Sequence, residues 1–312
     1  MIIDVHAHLQ VPGLARHLKT EMPSLILTGR DELLEQQAKA GVDLTLISSP
    51  MTMEMYMRDS SLSPIEIARA YNEGIAHLVE NAPSLKCMAI TYPFGGDELL
   101  KEVEHAIVDM GMVGVAVCPG YDGEYLDSPR AAPFLEMMCE LDRPVFIHPP
   151  WLTLGADRMK DYRLVEMVGR PFETTLGLAK MVFAGVFERF PRLKVVAAHV
   201  GGAILMLPGR LNYGYEIRHD ASFGPWGEDR LSKPPSEYIK QIYVDTMSFH
   251  PPAVQCALTT LGADHVLFGS DHPPVPIPLE RSVETVNCLP IGEAERALVL
   301  AGNAVRLFHL EQ

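Results

Sequence analysis

Short apolar runs recur along the chain, each followed by a longer stretch with helical spacing. Eight runs read as strands, at residues 2–5, 44–48, 86–91, 114–118, 145–148, 195–199, 242–245 and 266–269. They are apolar without alternation, as strands covered on both faces are. Between them, apolar residues return at three- and four-residue steps. Residues 64–81 place Ile65, Ala68, Ile75 and Leu78 in this way, and 97–110 opens with Asp97 and Glu98, which suit a helix N-terminus. The stretch 173–190 is apolar nearly all round, which predicts deep burial. Further helices are expected at 202–213, 253–261 and 293–308, the last broken near Gly302 and Asn303. Eight strand–helix alternations predict one closed (β/α)8 barrel over residues 1–312. Residues 151–171 and 214–235 are expected to be loops over its C-terminal mouth, where barrel enzymes keep their chemistry.

That expectation gives certain polar residues a common address. His6 and His8 close the first run, and residues two apart on a strand face the same way. Alone, such a pair is as compatible with core histidines as with a metal site. The pattern repeats, however. His148 ends 145–148, His199 ends 195–199, and Asp271 follows 266–269. In a barrel those ends converge. Neutral imidazoles with a carboxylate fit Zn²⁺ and also accept Mn²⁺, Fe²⁺ or Co²⁺. Trp151, just past His148, is placed to stack on a planar substrate. Met51, Met53, Met55 and Met57 alternate just after the second run and read as packing filler, with an apolar pocket wall as the alternative. Gly201 and Gly202 permit close backbone approach beside His199 and lack phosphate-loop spacing.

Composition narrows the partners. Of 312 residues, 40 are acidic and 26 basic, a net charge of −14, which argues against binding to nucleic acid or anionic membrane. Five cysteines without CxxC spacing read as reduced thiols in a cytoplasmic protein. The first residues, MIIDVHAHLQ, have no signal-peptide pattern, and no run approaches the roughly 20 apolar residues of a membrane span.

The segments IDVHAH, FIHPPW, AAHVGGA and FGSDHP resemble, in order, the signatures of the amidohydrolase superfamily. Residues 168–203 and the following LPGRLNYGYEIR are similar to the branch typified by 2-amino-3-carboxymuconate 6-semialdehyde decarboxylase. The resemblance covers residues 2 to 308. It implies a single divalent ion, Zn²⁺ first and Mn²⁺ second, held by His6, His8, His148 and Asp271. It implies that His199 acts beside the ion as a proton shuttle and that Arg210 and Arg218 bind substrate carboxylates. An arginine can come from the second subunit of a homodimer. The expected reaction is nonoxidative decarboxylation of a small carboxylated aromatic or unsaturated dicarboxylate. A lactone or amide hydrolase, or a hydratase, is the alternative on the same scaffold, and a nonenzymatic metal-binding protein is a third reading. Two departures bear on substrate. The branch carries a carboxylate-binding arginine in a longer segment after the first strand. Here 11–29 is short, and its nearest arginines, Arg16 and Arg30, lie in no matching motif. His272 stands where the branch often has an aromatic residue.

Overall fold

The computed structural model describes residues 1–20, 29–273 and 277–311. Every barrel run forms a parallel strand. In chain order these are Ile3–Ala7, Leu44–Ile47, a third interrupted at Met88 into Leu85–Cys87 and Ala89–Ile90, then Val115–Val117, Val145–Ile147, Val195–Ala197, Tyr243–Asp245 and Val266–Leu267. Each pairs in parallel with the next in sequence. Met88 N–H donates to the Ile47 carbonyl at 2.9 Å, which carries the sheet across the interruption. The eighth segment meets the first: Val5 N–H donates to the Phe268 carbonyl at 3.0 Å and Asp271 N–H to the His6 carbonyl at 2.8 Å. A parallel bridge joins Ala7 to His272. The sheet is therefore a closed ring without an edge, and its backbone polar groups find partners within it.

Two apolar layers hold the ring. Leu46, Met88, Ala116, Phe146, Val196 and Leu267, one from each of six strands, pack together as expected of a filled barrel. The alternate residues, among them Ile47, Val115, Val117, Ile147 and Val244, face the helices. Phe146 lies directly against the His6 ring, with centroids 5.1 Å apart.

The surrounding helices depart from expectation in instructive ways. The stretch 173–190 is two helices, Arg170–Phe183 and Val186–Arg189, parted by Gly185 in a left-handed conformation. It is not buried all round. Leu178, Met181 and Val182 reach the core, while Phe183 is half-buried and meets Trp226 edge-on at 5.2 Å. The expected helix at 202–213 is a 3-10 turn, Ile204–Met206, followed by an α-helix at Pro208–Glu216, which extends into the segment read as loop. The other segment, 151–171, contains the one-turn π-helix Val165–Gly169. Arg30–Ala40, Met51–Asp59, Ala132–Glu140 and Leu279–Asn287 are helices that the apolar periodicity does not single out. Because Met51–Asp59 is helical, its alternate methionines do not share a face. Met53 is fully buried in the core, whereas Met51 and Met55, four apart, line a cavity.

Candidate metal centre

The strand ends bring His6, His8, His148, His199 and Asp271 together. His6 Nε2 lies 3.1 Å from His8 Nε2. Asp271 Oδ1 is 3.2 Å from His6 Nε2 and 2.9 Å from His8 Nε2, and Asp271 Oδ2 is 3.2 Å from His199 Nε2. One donor atom from each of His6, His148, His199 and Asp271 falls within 4.8 Å of the others. The His148 ring stands 4.8 Å from that of His8 and 5.2 Å from that of His199.

The outer nitrogens decide what the inner ones can do. His6 Nδ1–H donates to Asp245 Oδ2 at 2.6 Å, His8 Nδ1–H to the Ser48 carbonyl at 2.6 Å, and His148 Nδ1–H to the Pro149 carbonyl at 2.8 Å. Each proton held at Nδ1 leaves an Nε2 lone pair facing inward. Two such lone pairs 3.1 Å apart repel unless positive charge lies between them. The donor set thus fits a divalent cation: the donor atoms that gather within 4.8 Å come from His6, His148, His199 and Asp271, and His8 Nε2 lies 2.9 Å from Asp271 Oδ1. His199 is different: its Nε2–H donates to Asp271 Oδ2 at 3.2 Å, while its Nδ1 is buried without a hydrogen-bond partner among the described residues.

Electrostatics point the same way. Burial disfavours a charged His6, yet the Asp271 and Asp245 carboxylates outweigh it and push its pKa up to about 10. Burial holds His8 below the usual imidazole range against the pull of Asp271, and holds His148 well below it, helped by its histidine neighbours. Burial alone would raise Asp271, but the His6 charge and hydrogen bonds from His199, His6 and His8 keep it well below the carboxylate range. The cluster takes up one positive charge from solution as a proton, where a cation can take its place.

Backbone and buried acids set the geometry. His199 and Val200 have φ of 56° and 55°, and Asp271 has φ of 61°, left-handed values that are strained for non-glycine residues and severe for a β-branched one. Asp245, fully buried, holds the first of these turns through Val200 N–H at 2.9 Å while its other oxygen holds His6. Asp4 holds the second turn: it accepts Ser270 Oγ–H at 2.5 Å and Ser270 N–H at 3.1 Å, and also takes His6 N–H at 3.0 Å. Burial still pushes the Asp4 carboxyl up to about 6. Gly269 is required by closeness. A Cβ there would stand 2.8 Å from that of Asp245 and 2.9 Å from that of His6. Asp245 went unnoticed in the sequence although it ends the run 242–245, and the criterion that picked out Asp271 applies to it equally. Asp4 carries no comparable signal.

The substrate-binding candidates divide. Trp151 lines a largely apolar cavity beside His8, with Val11, Leu14, Met51, Met55 and Tyr56. Arg210 and Arg218 do not join the cluster within this chain. Arg210 is exposed on Pro208–Glu216. Arg218 pairs with Asp229 at 2.9 Å, donates to the Tyr215 carbonyl and stacks on the Tyr215 ring. Arg16 and Arg30 are bonded to their neighbours His17 and Asp31. Part of the short 11–29 stretch, residues 21–28, lies outside the described residues.

Comparison with known proteins agrees with this architecture. A 2-amino-3-carboxymuconate-6-semialdehyde decarboxylase of Dictyostelium discoideum is 30% identical over 289 residues, covering 90% of this chain and 77% of the relative. The crystal structure of 5-carboxyvanillate decarboxylase from Sphingomonas paucimobilis superposes with a TM-score of 0.86 at 24% identity, covering 99% of both chains. A dihydroxybenzoic acid decarboxylase from Polaromonas, solved with bound manganese and 2-nitroresorcinol, superposes with a TM-score of 0.82 at 21% identity, covering 100% of this chain and 97% of that one. The family model described as amidohydrolase matches residues 3–310, and the chain belongs to that family.

Proposed function

We propose that the protein is a metal-dependent nonoxidative decarboxylase of a small, planar carboxylic acid, aromatic or unsaturated. The observation that carries this reading is the division among the histidines: three anchor Nδ1–H and present Nε2 inward, while His199 is held through Nε2 by Asp271 and keeps an Nδ1 without a partner among the described residues. His6, His8, His148 and Asp271 would hold the ion. When bound, it supplies concentrated positive charge that stabilises electron density developing on the substrate. Breaking the bond between the ring or alkene carbon and its carboxylate leaves an electron pair on that carbon. His199 delivers a proton there, CO₂ departs, and solvent returns a proton to His199. Asp271, accepting from His199 Nε2, keeps that imidazole in place. Trp151 offers a face for the planar substrate, and the apolar cavity wall excludes water from the protonated carbon. Most of the relatives are named as decarboxylases of carboxylated aromatic or unsaturated acids, which supports this choice over hydrolysis, while a relative named as a hydratase keeps hydration as the second reading.

Three imidazoles and one carboxylate favour Zn²⁺, with Mn²⁺ a close competitor, and elemental analysis of protein purified without added metal distinguishes them. A homodimer is supported by large exposed apolar side chains: Leu154, Tyr162 and Met167 on 151–171, Phe223 on 214–235, and Phe172 and Met206 on neighbouring turns. Such pairing leaves the exposed Arg210 available to a neighbour's cavity. Five unpaired cysteines suit a reducing, cytoplasmic setting. Among the described residues no helix is long and apolar enough to cross a membrane. The deciding experiment incubates metal-loaded protein with hydroxybenzoate-type and carboxymuconate-type acids and follows CO₂. Cleavage of a lactone or amide, or hydration of an alkene, without CO₂ from any acid defeats the reading.

A further inference from the structure

Arg170 is the basic residue for which the family resemblance offers no role, and its surroundings are unusual. It opens the helix Arg170–Phe183, directly after the π-turn Val165–Gly169. Its guanidinium carbon lies 5.3 Å from the centre of the Trp151 ring, the aromatic wall of the cavity beside His8. Its Nε is shielded from water and has no hydrogen-bond partner among the described residues. Three other arginines have carboxylate partners, Arg58 with Glu54, Arg130 with Glu124 and Arg218 with Asp229, and Arg210 is exposed to solvent rather than buried. Glu166, whose charge reaches Arg170, already pairs with Arg163 at 2.6 Å.

The position is fixed by the chemistry-bearing turn. Thr175 Oγ1 donates to the Pro171 carbonyl at 2.7 Å and accepts Ala203 N–H at 2.8 Å. Gly202, at φ 67°, lies so close that a Cβ would stand 2.3 Å from the Pro171 oxygen. The first turn of this helix therefore rests on the turn that carries His199. Burial works to lower the Arg170 pKa, and the Asp271 carboxylate is near enough to counter it. A buried Nε–H without an acceptor is costly, and a carboxylate relieves that cost by accepting from Nε–H and a terminal guanidinium N–H in parallel.

We infer that Arg170 and Trp151 together form the acid-binding subsite of this pocket, the ring stacking the substrate and the guanidinium taking its carboxylate. This rests on reading the pocket as one for carboxylic acids and narrows the class. Arg16 is exposed and Arg30 half-buried, and both are bonded to their sequence neighbours, so the first-strand side offers apolar Val11, Leu14, Met51 and Met55 in place of a second cationic subsite. The preferred ligand is accordingly a planar aromatic acid with a single carboxylate and an apolar flank.

The test compares 2,6-dihydroxybenzoate with neutral resorcinol by calorimetry on metal-loaded protein, with metal content measured in every sample. The wild type should bind the acid more tightly. Arg170→Gln should weaken the acid at least tenfold and leave resorcinol and bound metal unchanged, with Arg170→Lys in between. Equal weakening of both ligands, unchanged acid binding, or a wild type that does not prefer the acid overturns the inference. If Arg170→Gln does not fold, Arg170→Lys decides by the same comparison: selective loss of the acid supports the subsite and parallel loss rejects it. Arg170-dependent acid binding without CO₂ release from any acid would defeat the decarboxylase reading and leave the subsite standing. CO₂ release indifferent to Arg170 would do the reverse.

Discussion

A single carboxylate, Asp245, joins two features that the chemistry needs. One oxygen fixes the His6 tautomer, and the other holds the left-handed turn after His199. Asp245→Asn preserves size and removes charge, so the fold should survive. Metal affinity should fall about 10- to 100-fold, the usual consequence of losing the partner of a ligating histidine, read by titration against a chelator. His6 also governs the pH dependence of metal binding. Its pKa without metal is raised to about 10, while His8 and His148 are lowered and already neutral at pH 7. The ion must then displace one proton, from His6. The metal-free state holds that proton and the loaded state does not, so raising the pH favours binding until the pH passes about 10. Between pH 7 and 9 apparent affinity should rise about tenfold per unit, with about one proton released per ion in weakly buffered indicator solution. A flat affinity across that range would contradict this assignment of charge.

At the level of elements, very short strands succeed because the ligands sit just beyond them. The strand Val195–Ala197 ends before His199, and Val266–Leu267 ends before Asp271. Proton-moving His199 and ligand Asp271 therefore each stand on a turn, and both turns are left-handed. Such turns persist only where packing over-determines them. Gly269 is where two strands come close enough for His6 and Asp245 to meet. Gly269→Ala should cost about 1–3 kcal/mol, the scale of overpacking in a close-packed interior. It should also weaken metal binding, because the new methyl pushes apart the pair that orients His6. Urea unfolding with and without metal separates the two effects. The methionines of Met51–Asp59 teach a related lesson: they alternate in sequence, and the helix sends Met53 to the core as filler and Met51 and Met55 to the cavity wall.

For the whole molecule, ring closure is what creates the site. His6 and Asp271 meet only because the last strand returns to the first, through the Asp271–His6 and Val5–Phe268 backbone bonds. Cation and fold are therefore coupled, and metal at a hundredfold excess over its Kd should add about 2.7 kcal/mol to stability. Leu154, Tyr162, Met167, Phe172, Met206 and Phe223 remain exposed in the isolated chain. Light scattering should show two chains per particle, and Phe172→Glu should shift the population toward one. A wild-type protein that is strictly monomeric would remove any role for an arginine supplied by a neighbour.

Much was written in the sequence. Apolar runs bounded by His or Asp placed the strands and pointed to one end of the barrel, because strand period and strand-end convergence are local and topological facts. The arginines could not be read that way. Arg210 and Arg218 occupy a recognisable motif, yet one is exposed and the other is held by Asp229. Arg170 sits in no functional pattern, yet lies over Trp151 with its Nε unsatisfied. Whether a charge is neutralised depends on which residues fold against it, and burial is not encoded at the position it affects. The sequence alone determined which residue types stand at the strand ends. Only the tertiary structure decided which nitrogens carry protons, which turns are strained and which cation lacks a partner, since each depends on neighbours far apart in the chain.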